Sequence, residues 1–294
     1  MRDQLDAALI AADADRIARL SLDEDGARDV TSEASVAVTM TGNAVIEVRE
    51  EMVLAGCAYA DAVVAACALP PIAWNASDGD RVAAGSVAGT LHGSLRSILR
   101  AERPLLNLLQ RACGVATFTR SHVDAVRGMS CRILHTRKTT PGLRLLEVSA
   151  VLAGGGTRHR LDLATAVMTK DNHWEALRAA GRTVRDALES ARAAGVNALQ
   201  VEVESIDQLH EALTAGATRI LIDNQAPDTV AEWVRIVRAS YPEIEVEATG
   251  GVTLDTLGRY AMTGVDFVSL GALTHSAPAA DLGLSIHRDG APTG

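Results

Sequence analysis

Three short segments near the middle of the chain carry cationic side chains, and the first two also contain glycines. They are Thr136-Arg137-Lys138-Thr139-Thr140-Pro141-Gly142, Gly154-Gly155-Gly156-Thr157-Arg158-His159-Arg160 and Lys170-Asp171-Asn172-His173. The cations between residues 136 and 173 are Arg137, Lys138, Arg144, Arg158, Arg160 and Lys170, and the acids are Glu147, Asp162 and Asp171. The whole chain carries a net charge of -9. A locally basic stretch in an acidic protein predicts a site for a small polyanion that carries carboxylates or phosphates.

The composition narrows the class of protein. The chain has 294 residues, of which 48% are hydrophobic and only 3% aromatic, so it can form a large aliphatic core of one or two domains. The negative net charge argues against non-specific nucleic-acid binding, which requires a broad basic face. The four cysteines have no CxxC spacing, so we predict neither a zinc ribbon nor a disulfide scaffold.

The sequence also carries no hydrophobic signal for a membrane. No segment approaches the roughly 20 uncharged apolar residues of a membrane span. The first residues, Met1-Arg2-Asp3-Gln4-Leu5-Asp6, include acids and start no long apolar run. We therefore expect a cytoplasmic protein without a signal peptide.

Short β-branched segments alternate with amphipathic segments after about residue 116. The predicted strands are 131–136, 166–170, 198–203, 219–224, 244–249 and 267–272. The predicted helices are 174–194, 206–215, 227–240 and 254–263, with a further helix between Pro141 and Gly154. This alternation implies a parallel sheet with helices outside it, most simply a closed or nearly closed α/β barrel.

Polar and glycine-rich residues follow each of these strands. The strand ends carry 136–138, 170–172, 202–204, 223–224, 249–251 and 271–272. In α/β barrels the active site lies at the carboxyl ends of the strands, so these residues are predicted to share one rim. We expect Glu202 and Glu204 to point to opposite faces of their strand, so that only one of them faces the barrel interior.

The first part of the chain has a different pattern. Strand-like segments at 43–49 and 86–92 are interspersed with helical patterns at 4–21 and 58–68. A further helical stripe at 102–119 is expected to join this part to the barrel. We predict a smaller α+β domain here.

Several motifs in order resemble the quinolinate phosphoribosyltransferase family, also called nicotinate-nucleotide pyrophosphorylase (carboxylating). They begin with Asp29-Val30-Thr31-Ser32, Ala101-Glu102-Arg103, Leu106-Asn107-Leu108-Leu109-Gln110-Arg111 and Gly114-Val115-Ala116-Thr117. They continue through the three basic segments to Val201-Glu202-Val203, Asp223-Asn224, Thr249-Gly250-Gly251 and Gly271-Ala272-Leu273-Thr274-His275-Ser276. A lone triple glycine would be weak evidence for the family, whereas this ordered series of motifs is highly specific and covers nearly the whole chain.

The resemblance implies an N-terminal α/β sandwich at 1–115, which 276–294 could complete, and an incomplete α/β barrel at 116–275. It implies a homodimer or larger assembly with shared active sites. The family transfers phosphoribose from phosphoribosyl pyrophosphate to the ring nitrogen of quinolinate. The 2-carboxylate then leaves as carbon dioxide, and nicotinate mononucleotide and pyrophosphate are formed, with Mg²⁺ required.

The resemblance also implies residue roles. Quinolinate would be bound by Arg137, His159 and Arg160, with Lys170 nearby and Arg103 from the neighbouring subunit. The pyrophosphate would be bound by Mg²⁺, Lys138 and Lys170, and the 5-phosphate by backbone N–H groups of Thr249, Gly250, Gly251, Gly271 and Ala272. Glu202 and Asp223 would stabilise the oxocarbenium-like transition state and hold the metal, directly or through water.

The sequence departs from the family pattern at His135, where Asp is usual, at Arg158, where Asn is usual, and at Asp162, where Gly is usual. Either these are neutral changes, or the acceptor site has been altered. The second alternative is a paralogue for another heteroaromatic carboxylate, in secondary metabolism or related to the ModD-like proteins. A non-catalytic phosphosugar-binding protein and Schiff-base chemistry at Lys170 are the remaining alternatives.

Overall fold

The computed structural model of the chain describes residues 5–288. The helices in this part are α1 (Ala7–Glu24), α2 (Val30–Ser35), α3 (Cys57–Ala66), α4 (Leu95–Ala125), α5 (Arg144–Ala153), α6 (Asp171–Ala179), α7 (Val184–Ala193), α8 (Ile206–Ala215), α9 (Pro227–Ser240), α10 (Leu254–Ala261) and α11 (Ala272–His275). The strands are β1 (Thr41–Val48), β2 (Met52–Val53), β3 (Ala73–Trp74), β4 (Arg81–Val82), β5 (Val87–Ser94), β6 (Arg132–Leu134), β7 (Val167–Thr169), β8 (Leu199–Val203), β9 (Arg219–Asp223), β10 (Glu245–Thr249), β11 (Phe267–Ser269) and β12 (Leu282–Arg288). Among these residues, none of the helices combines the length and the apolar character that crossing a membrane requires.

The chain forms two compact units. The first contains the described residues up to Arg120, the segment Lys138–Gly156 and the described residues from Ala272 onward. The second contains Ser121–Arg137 and Thr157–Gly271. The backbone therefore passes between the units several times, once within α4. The predicted domain boundary at residue 115 stays a prediction.

The first unit is built on an antiparallel sheet with strand order β12-β1-β5-β3, beside a small β2–β4 pair. In β1 the side chains of Ala44, Ile46 and Val48 are buried while their neighbours are more exposed, which is the alternation of a strand with one face on a core. Helices α1 and α3 pack against each other in the same unit. This unit is the predicted α/β sandwich domain.

The second unit is a six-stranded parallel sheet with strand order β6-β11-β10-β9-β8-β7. Strands β7 to β11 are added one after another, and helices separate them along the chain. The strands β6 and β7 are consecutive in sequence but form the two edges of the sheet. The prediction of an incomplete α/β barrel is therefore confirmed.

The strand register gives the two faces of this sheet opposite chemistry. Because side chains alternate along a strand, residues two apart share a face. One face is aliphatic, with Val201, Val203, Ile220, Ile222, Val246, Ala248 and Val268. The other face is largely polar, with Gln200, Glu202, Arg219, Glu245, Glu247 and Ser269 beside the apolar Leu221 and Phe267. Helices α8 and α10 pack on the sheet with buried apolar side chains, which suit the aliphatic face.

All six predicted strands of the second unit are present, each within the predicted segment. The prediction of one helix at 174–194 is wrong: α6 ends at Ala179 and α7 begins at Val184, because Gly181 adopts a positive φ of 64° that helical residues do not have. The helix predicted to start near Pro141 begins three residues later, at Arg144. Residue 4 of the first predicted helix and residues 289–294 lie outside the described part.

Gly114, within α4, offers a test of packing in the first unit. A Cβ atom at this position would lie 1.9 Å from the backbone oxygen of Pro278, which has no room to move as a side chain would. We expect Gly114→Ala to lower the free energy of unfolding by about 3 kcal/mol, because of this overlap. Denaturant unfolding of the purified variant measures the change.

The matched control is Gly258→Ala, another glycine inside a helix, with no atom within 4 Å of its Cβ position. Alanine favours helix over glycine, so this variant should gain up to about 1 kcal/mol. Equal stability of the two variants would contradict the close contact at Gly114.

Candidate active site

The first basic segment follows β6 at the carboxyl end of the sheet. Arg137 is half-buried there, and its Nε atom is buried without a hydrogen-bond partner among the described residues. Buried N–H groups are nearly always paired in folded proteins. The unpaired donor therefore points to a bound group with an acceptor oxygen.

The second basic segment lies beside the free edge of β6. Thr157 forms a parallel bridge with Leu134, and its N–H donates to the carbonyl of Ile133 at 2.7 Å. Three residues later, Arg160 donates from Nη1 to the carbonyl of Ala166 at 3.0 Å and from Nη2 toward Sδ of Met168 at 3.3 Å. The parallel bridge carries the 157–160 backbone to the same end of the sheet as Arg137.

The charges of Arg137 and Arg160 interact. Burial and then the nearby Arg137 charge lower the pKa of the Arg160 guanidinium from its usual value, although Asp162 and Glu202 act in the opposite direction. Two cations so close repel each other unless an anion lies between them. This pair is therefore suited to a ligand with more than one negative group.

Lys170 stands between β7 and α6. Its backbone N–H donates to Nδ1 of His173 at 3.1 Å, which satisfies an N–H group at the start of the helix. Its ammonium group forms an ion pair with Oε2 of Glu202. Trp174, buried on α6, donates from Nε1 to the carbonyl oxygen of Glu202 at 2.8 Å. Two contacts therefore hold Glu202 in place: its carboxylate pairs with Lys170, and its backbone carbonyl accepts from Trp174.

Glu202 lies on the polar face of β8 and is 7% exposed, whereas Glu204 follows the strand and is exposed. Burial raises the pKa of the Glu202 carboxyl above its ordinary value, the Lys170 ion pair lowers it, and the charges of Asp223 and Asp171 raise it again. Glu202 and Asp223 are therefore close enough for their charges to interact. The expectation that Glu202 and Glu204 point to opposite faces of one strand is wrong, because residues two apart on a strand share a face. Their exposures differ because β8 ends at Val203, before Glu204.

Asp223 ends β9 against the glycine-rich turn after β10. Its Oδ2 accepts a hydrogen bond from Nδ2 of Asn224 at 2.7 Å. Gly250 has a φ of 80°, and a Cβ atom there would lie 2.3 Å from Oδ1 of Asn224 and 2.6 Å from Oδ1 of Asp223. Only glycine combines this backbone with such a close approach. Gly251 also has a positive φ, of 63°.

Three of the predicted residues belong to the first unit. They are Arg103, which is exposed on α4, Lys138, which is exposed, and Ala272, which starts α11. The Lys138 carbonyl accepts from Oγ1 of Thr274 at 2.7 Å. The remaining predicted residues, including Thr249 and Gly271, lie in the second unit. The roles assigned to all of them stay predictions.

Comparisons with known proteins give the same result over most of the chain. Residues 29–113 match the family model of the quinolinate phosphoribosyl transferase N-terminal domain. Residues 115–285 match the model of the C-terminal domain of the same family. The chain belongs to the quinolinate phosphoribosyl transferase family.

Individual members of the family are similar over most of their length. A probable nicotinate-nucleotide pyrophosphorylase [carboxylating] of Bacillus subtilis (strain 168) is 44% identical over 71% of this chain and 71% of its own. A quinolinate phosphoribosyltransferase [decarboxylating] 1b of Nicotiana tabacum is 38% identical over 92% of this chain and 81% of its own. The solved nicotinate-nucleotide pyrophosphorylase of Francisella tularensis covers 98% of this chain and 99% of its own with a TM-score of 0.88 and 32% identity.

This family member also contains buried charges that sequence reasoning did not single out. Glu247 on β10 is 1% exposed and lies 3.3 Å from Nε2 of His159 and 3.3 Å from Nη1 of Arg219. Burial alone would raise the pKa of Glu247, but its interactions with His159, Ser269 and Arg219 bring it below its ordinary value. The signal in the sequence that could have revealed Glu247 was a pair of acids at alternate positions of a predicted buried strand.

A second buried acid, Glu147, organises the segment after Lys138 in the first unit. Its Oε1 accepts from Nη2 of Arg111 at 2.6 Å and from Oγ1 of Thr140 at 2.6 Å, and its Oε2 accepts from the N–H of Thr140 at 3.0 Å. Arg111 also donates to the carbonyls of Thr274 and Ala277. These bonds fix the backbone at Thr140, two residues after Lys138, and connect it through Arg111 to the segment at Thr274 and Ala277.

Glu247→Gln tests the buried ion network in the second unit. The lowered pKa means that the ionised carboxylate stabilises the fold above its unfolded pKa, near 4.3, and that this contribution is lost as pH falls through the folded pKa. We expect the variant to lose about 2 kcal/mol of unfolding free energy at about pH 7, with the difference from wild type shrinking below about pH 4. Denaturant titrations across this range measure it.

Glu245→Gln is the control, because Glu245 lies on the same strand and face and also pairs with Arg219, but its side chain is 46% exposed. An exposed pair contributes at most about 1 kcal/mol. Equal losses in the two variants, or a loss in Glu247→Gln that does not change with pH, would contradict an ionised Glu247.

Proposed function

We propose that the protein transfers the phosphoribosyl group of phosphoribosyl pyrophosphate to the ring nitrogen of quinolinate. The products are nicotinate mononucleotide, pyrophosphate and carbon dioxide, as in de novo NAD synthesis. Family membership over both domains supports this reaction. The structural observation that carries it is the pair Arg137 and Arg160, with the buried and unpaired Nε of Arg137.

The two arginines suit the two adjacent carboxylates of quinolinate. A guanidinium group is planar, stays charged and donates to carboxylate oxygens with two parallel bonds. Arg160 uses one N–H group on Ala166 and one toward Met168, and a guanidinium has five. The proposal assigns one carboxylate to Arg137 and its neighbour to Arg160, with Lys170 near them and Arg103 from a second subunit. His159 was predicted as a further ligand, although both of its ring nitrogens already have partners within the second unit.

Glu202 and Asp223 are proposed to stabilise the transition state. As the bond between ribose C1 and pyrophosphate breaks, its electron pair leaves with pyrophosphate and positive charge develops on the sugar. Carboxylates fixed beside that charge stabilise it without further reorganisation. The lone pair of the ring nitrogen forms the new bond to C1, so no general base is needed. The bond between C2 and its carboxylate then breaks, its electron pair stays on C2 beside the cationic nitrogen, and a proton from water adds to that pair.

The oxygen atoms of Glu202 and Asp223 fit Mg²⁺. This ion prefers hard oxygen ligands and usually keeps several waters while it contacts one or two carboxylates and substrate phosphates. Among residues 5–288 no group of three or more His, Cys, Asp or Glu side chains could hold a metal. Bound Mg²⁺ would neutralise charge on the leaving pyrophosphate.

The phosphates of the sugar donor complete the proposal. Lys138 and Lys170 are proposed to bind the pyrophosphate, and the 5-phosphate is proposed to accept from N–H groups of the 249–251 and 271–272 turns. The positive φ of Gly250 and Gly251 supports the assignment of the 5-phosphate, because glycines have no side chains that would keep a phosphate away from the backbone. The ion pair of Lys170 with Glu202 suits a fixed anion-binding cation, and this favours phosphoribosyl transfer over Schiff-base chemistry.

The enzyme is proposed to work as a homodimer or larger assembly in the cytoplasm. The exposed position of Arg103 supports a role at a neighbouring subunit's site. No part of this proposal involves nucleic acid or a membrane.

Glu202→Gln tests the reaction and the role of this carboxylate together. Wild-type protein should form nicotinate mononucleotide and carbon dioxide from phosphoribosyl pyrophosphate and quinolinate only with Mg²⁺ present. We expect Glu202→Gln to lose about 100-fold or more in kcat/KM, because the amide cannot stabilise the positive sugar. A coupled assay of carbon dioxide release measures both proteins.

Glu204→Gln is the matched control: it is the next acid along the chain and is exposed, so its kcat/KM should stay within about twofold of wild type. Folded wild-type protein without turnover would contradict the proposed reaction. Turnover that both variants retain would leave the reaction in place but contradict the role of Glu202.

The shared site is tested by mixing two inactive variants. Arg103→Ala and Arg137→Ala should each lose activity without unfolding. If Arg103 acts on a neighbouring subunit, each mixed dimer contains one site with both arginines intact. Activity should then return to about a quarter of the wild-type value in a random mixture, and to about a half in purified mixed dimers. No recovery in mixed dimers verified by mass spectrometry would contradict a site built from two subunits.

A further inference from the structure

One hydrogen bond at the carboxyl end of the second unit's sheet has no role in the proposed reaction. Nε2 of His135, a fully buried residue after β6, accepts the backbone N–H of His159 at 3.1 Å. Nδ1 of His135 lies 3.0 Å from the carbonyl oxygen of Thr136. The bond joins two chain segments that are 24 residues apart in sequence.

The partners of His135 define its protonation. A backbone N–H can only donate, so Nε2 must carry a lone pair, and a carbonyl can only accept, so Nδ1 must carry the proton. His135 is therefore a neutral imidazole with its proton on Nδ1. In this form it uses both ring nitrogens to connect its own strand end to the backbone of His159.

The imidazole of His159 is also held through both of its ring nitrogens. Its Nδ1 accepts the N–H of Arg160 at 2.6 Å, which leaves the proton on Nε2 to donate to Glu247 at 3.3 Å. Glu247 is in turn paired with Arg219 on β9. The 157–160 segment is thus bonded to β6 through its backbone and to β10 through the His159 side chain.

These bonds hold the backbone positions from which two arginine side chains extend. Arg137 follows His135 by two residues, and Arg160 directly follows His159. Their like charges interact, so repulsion tends to separate the segments that carry them. The hydrogen bond between His135 and His159 opposes this separation, because it joins the two segments within two residues of each arginine.

We propose that His135 is a positioning residue that sets the separation of Arg137 and Arg160 and thereby selects a ring with two adjacent carboxylates over a ring with one. This proposal rests on the proposed function for the assignment of the two arginines to carboxylate binding. Two carboxylates on neighbouring ring carbons have a fixed separation, so both can be bound only if the two guanidinium groups are held at a matching separation. A ring with a single carboxylate engages one arginine and is insensitive to that distance.

The test uses non-reacting probes, so that binding is measured apart from turnover. Isothermal titration of benzene-1,2-dicarboxylate, benzoate and phosphoribosyl pyrophosphate is carried out on wild type, His135→Leu and His135→Gln. We expect His135→Leu to weaken benzene-1,2-dicarboxylate binding about tenfold or more, with benzoate and phosphoribosyl pyrophosphate changed less than about threefold. His135→Gln should stay within about threefold of wild type for all probes, because its Oε1 reaches the place of Nε2 and accepts the His159 N–H.

His135→Asn provides a second variant if the leucine variant does not fold. Its amide keeps the polarity of the site but is one carbon too short to reach the N–H of His159, so it should lose the dicarboxylate preference as leucine does. An unchanged preference in both His135→Leu and His135→Asn, or equal weakening of all three probes, would overturn the proposal. So would a wild-type protein that binds benzene-1,2-dicarboxylate no better than benzoate.

The outcome is separable from that of the proposed function. A wild-type protein that prefers benzene-1,2-dicarboxylate but does not turn over quinolinate would contradict the reaction and leave the role of His135 supported by the variants. A wild-type protein that turns over quinolinate while the His135 variants keep their preference would support the reaction and overturn the role of His135.

Discussion

The carboxylate of Glu247 lies inside the second unit's sheet with almost no exposure to water, and the arrangement around the predicted acceptor site depends on it. An ionised group in such a place is unstable by several kcal/mol unless partners compensate it. Arg219 and His159 supply those partners, from β9 and from the segment beside β6. Because the imidazole is fixed by this pairing, the backbone that carries Arg160 is fixed as well. A charge with no contact to the proposed reaction thereby orders the residues that are proposed to perform it.

The parallel sheet explains how such a network is possible. Its aliphatic face packs with helices, whereas its other face holds charged groups that bond to one another across neighbouring strands. In-register parallel pairing places successive strand ends at one rim, so Lys170, Glu202 and Asp223 come together although the chain between them is long. The polar layer below the rim then limits how these side chains can move.

The fold and the cationic and acidic rim residues could be predicted from the sequence because their signals are local. Strand and helix periodicity, glycine turns and the positions of Lys170, Glu202 and Asp223 at strand ends are each readable within a few residues. The helix predicted at 174–194 failed where a single glycine with a positive φ outweighed the surrounding helix pattern. Glu247, Glu147 and Arg219 were not singled out, because a charge on a strand or a helix is ordinarily assigned to a solvated face.

The sequence alone determined the fold class, the family motifs and the types of residues at the strand ends, since each follows from side-chain chemistry and short-range spacing. Only the tertiary structure decided what those residues contact. That His135 accepts the N–H of His159, that Glu247 pairs with His159, and that Gly250 lies against Asp223 and Asn224 are contacts between segments distant in sequence. Such contacts follow from the register of parallel strands and from the demand that buried polar groups be paired, which no local pattern encodes.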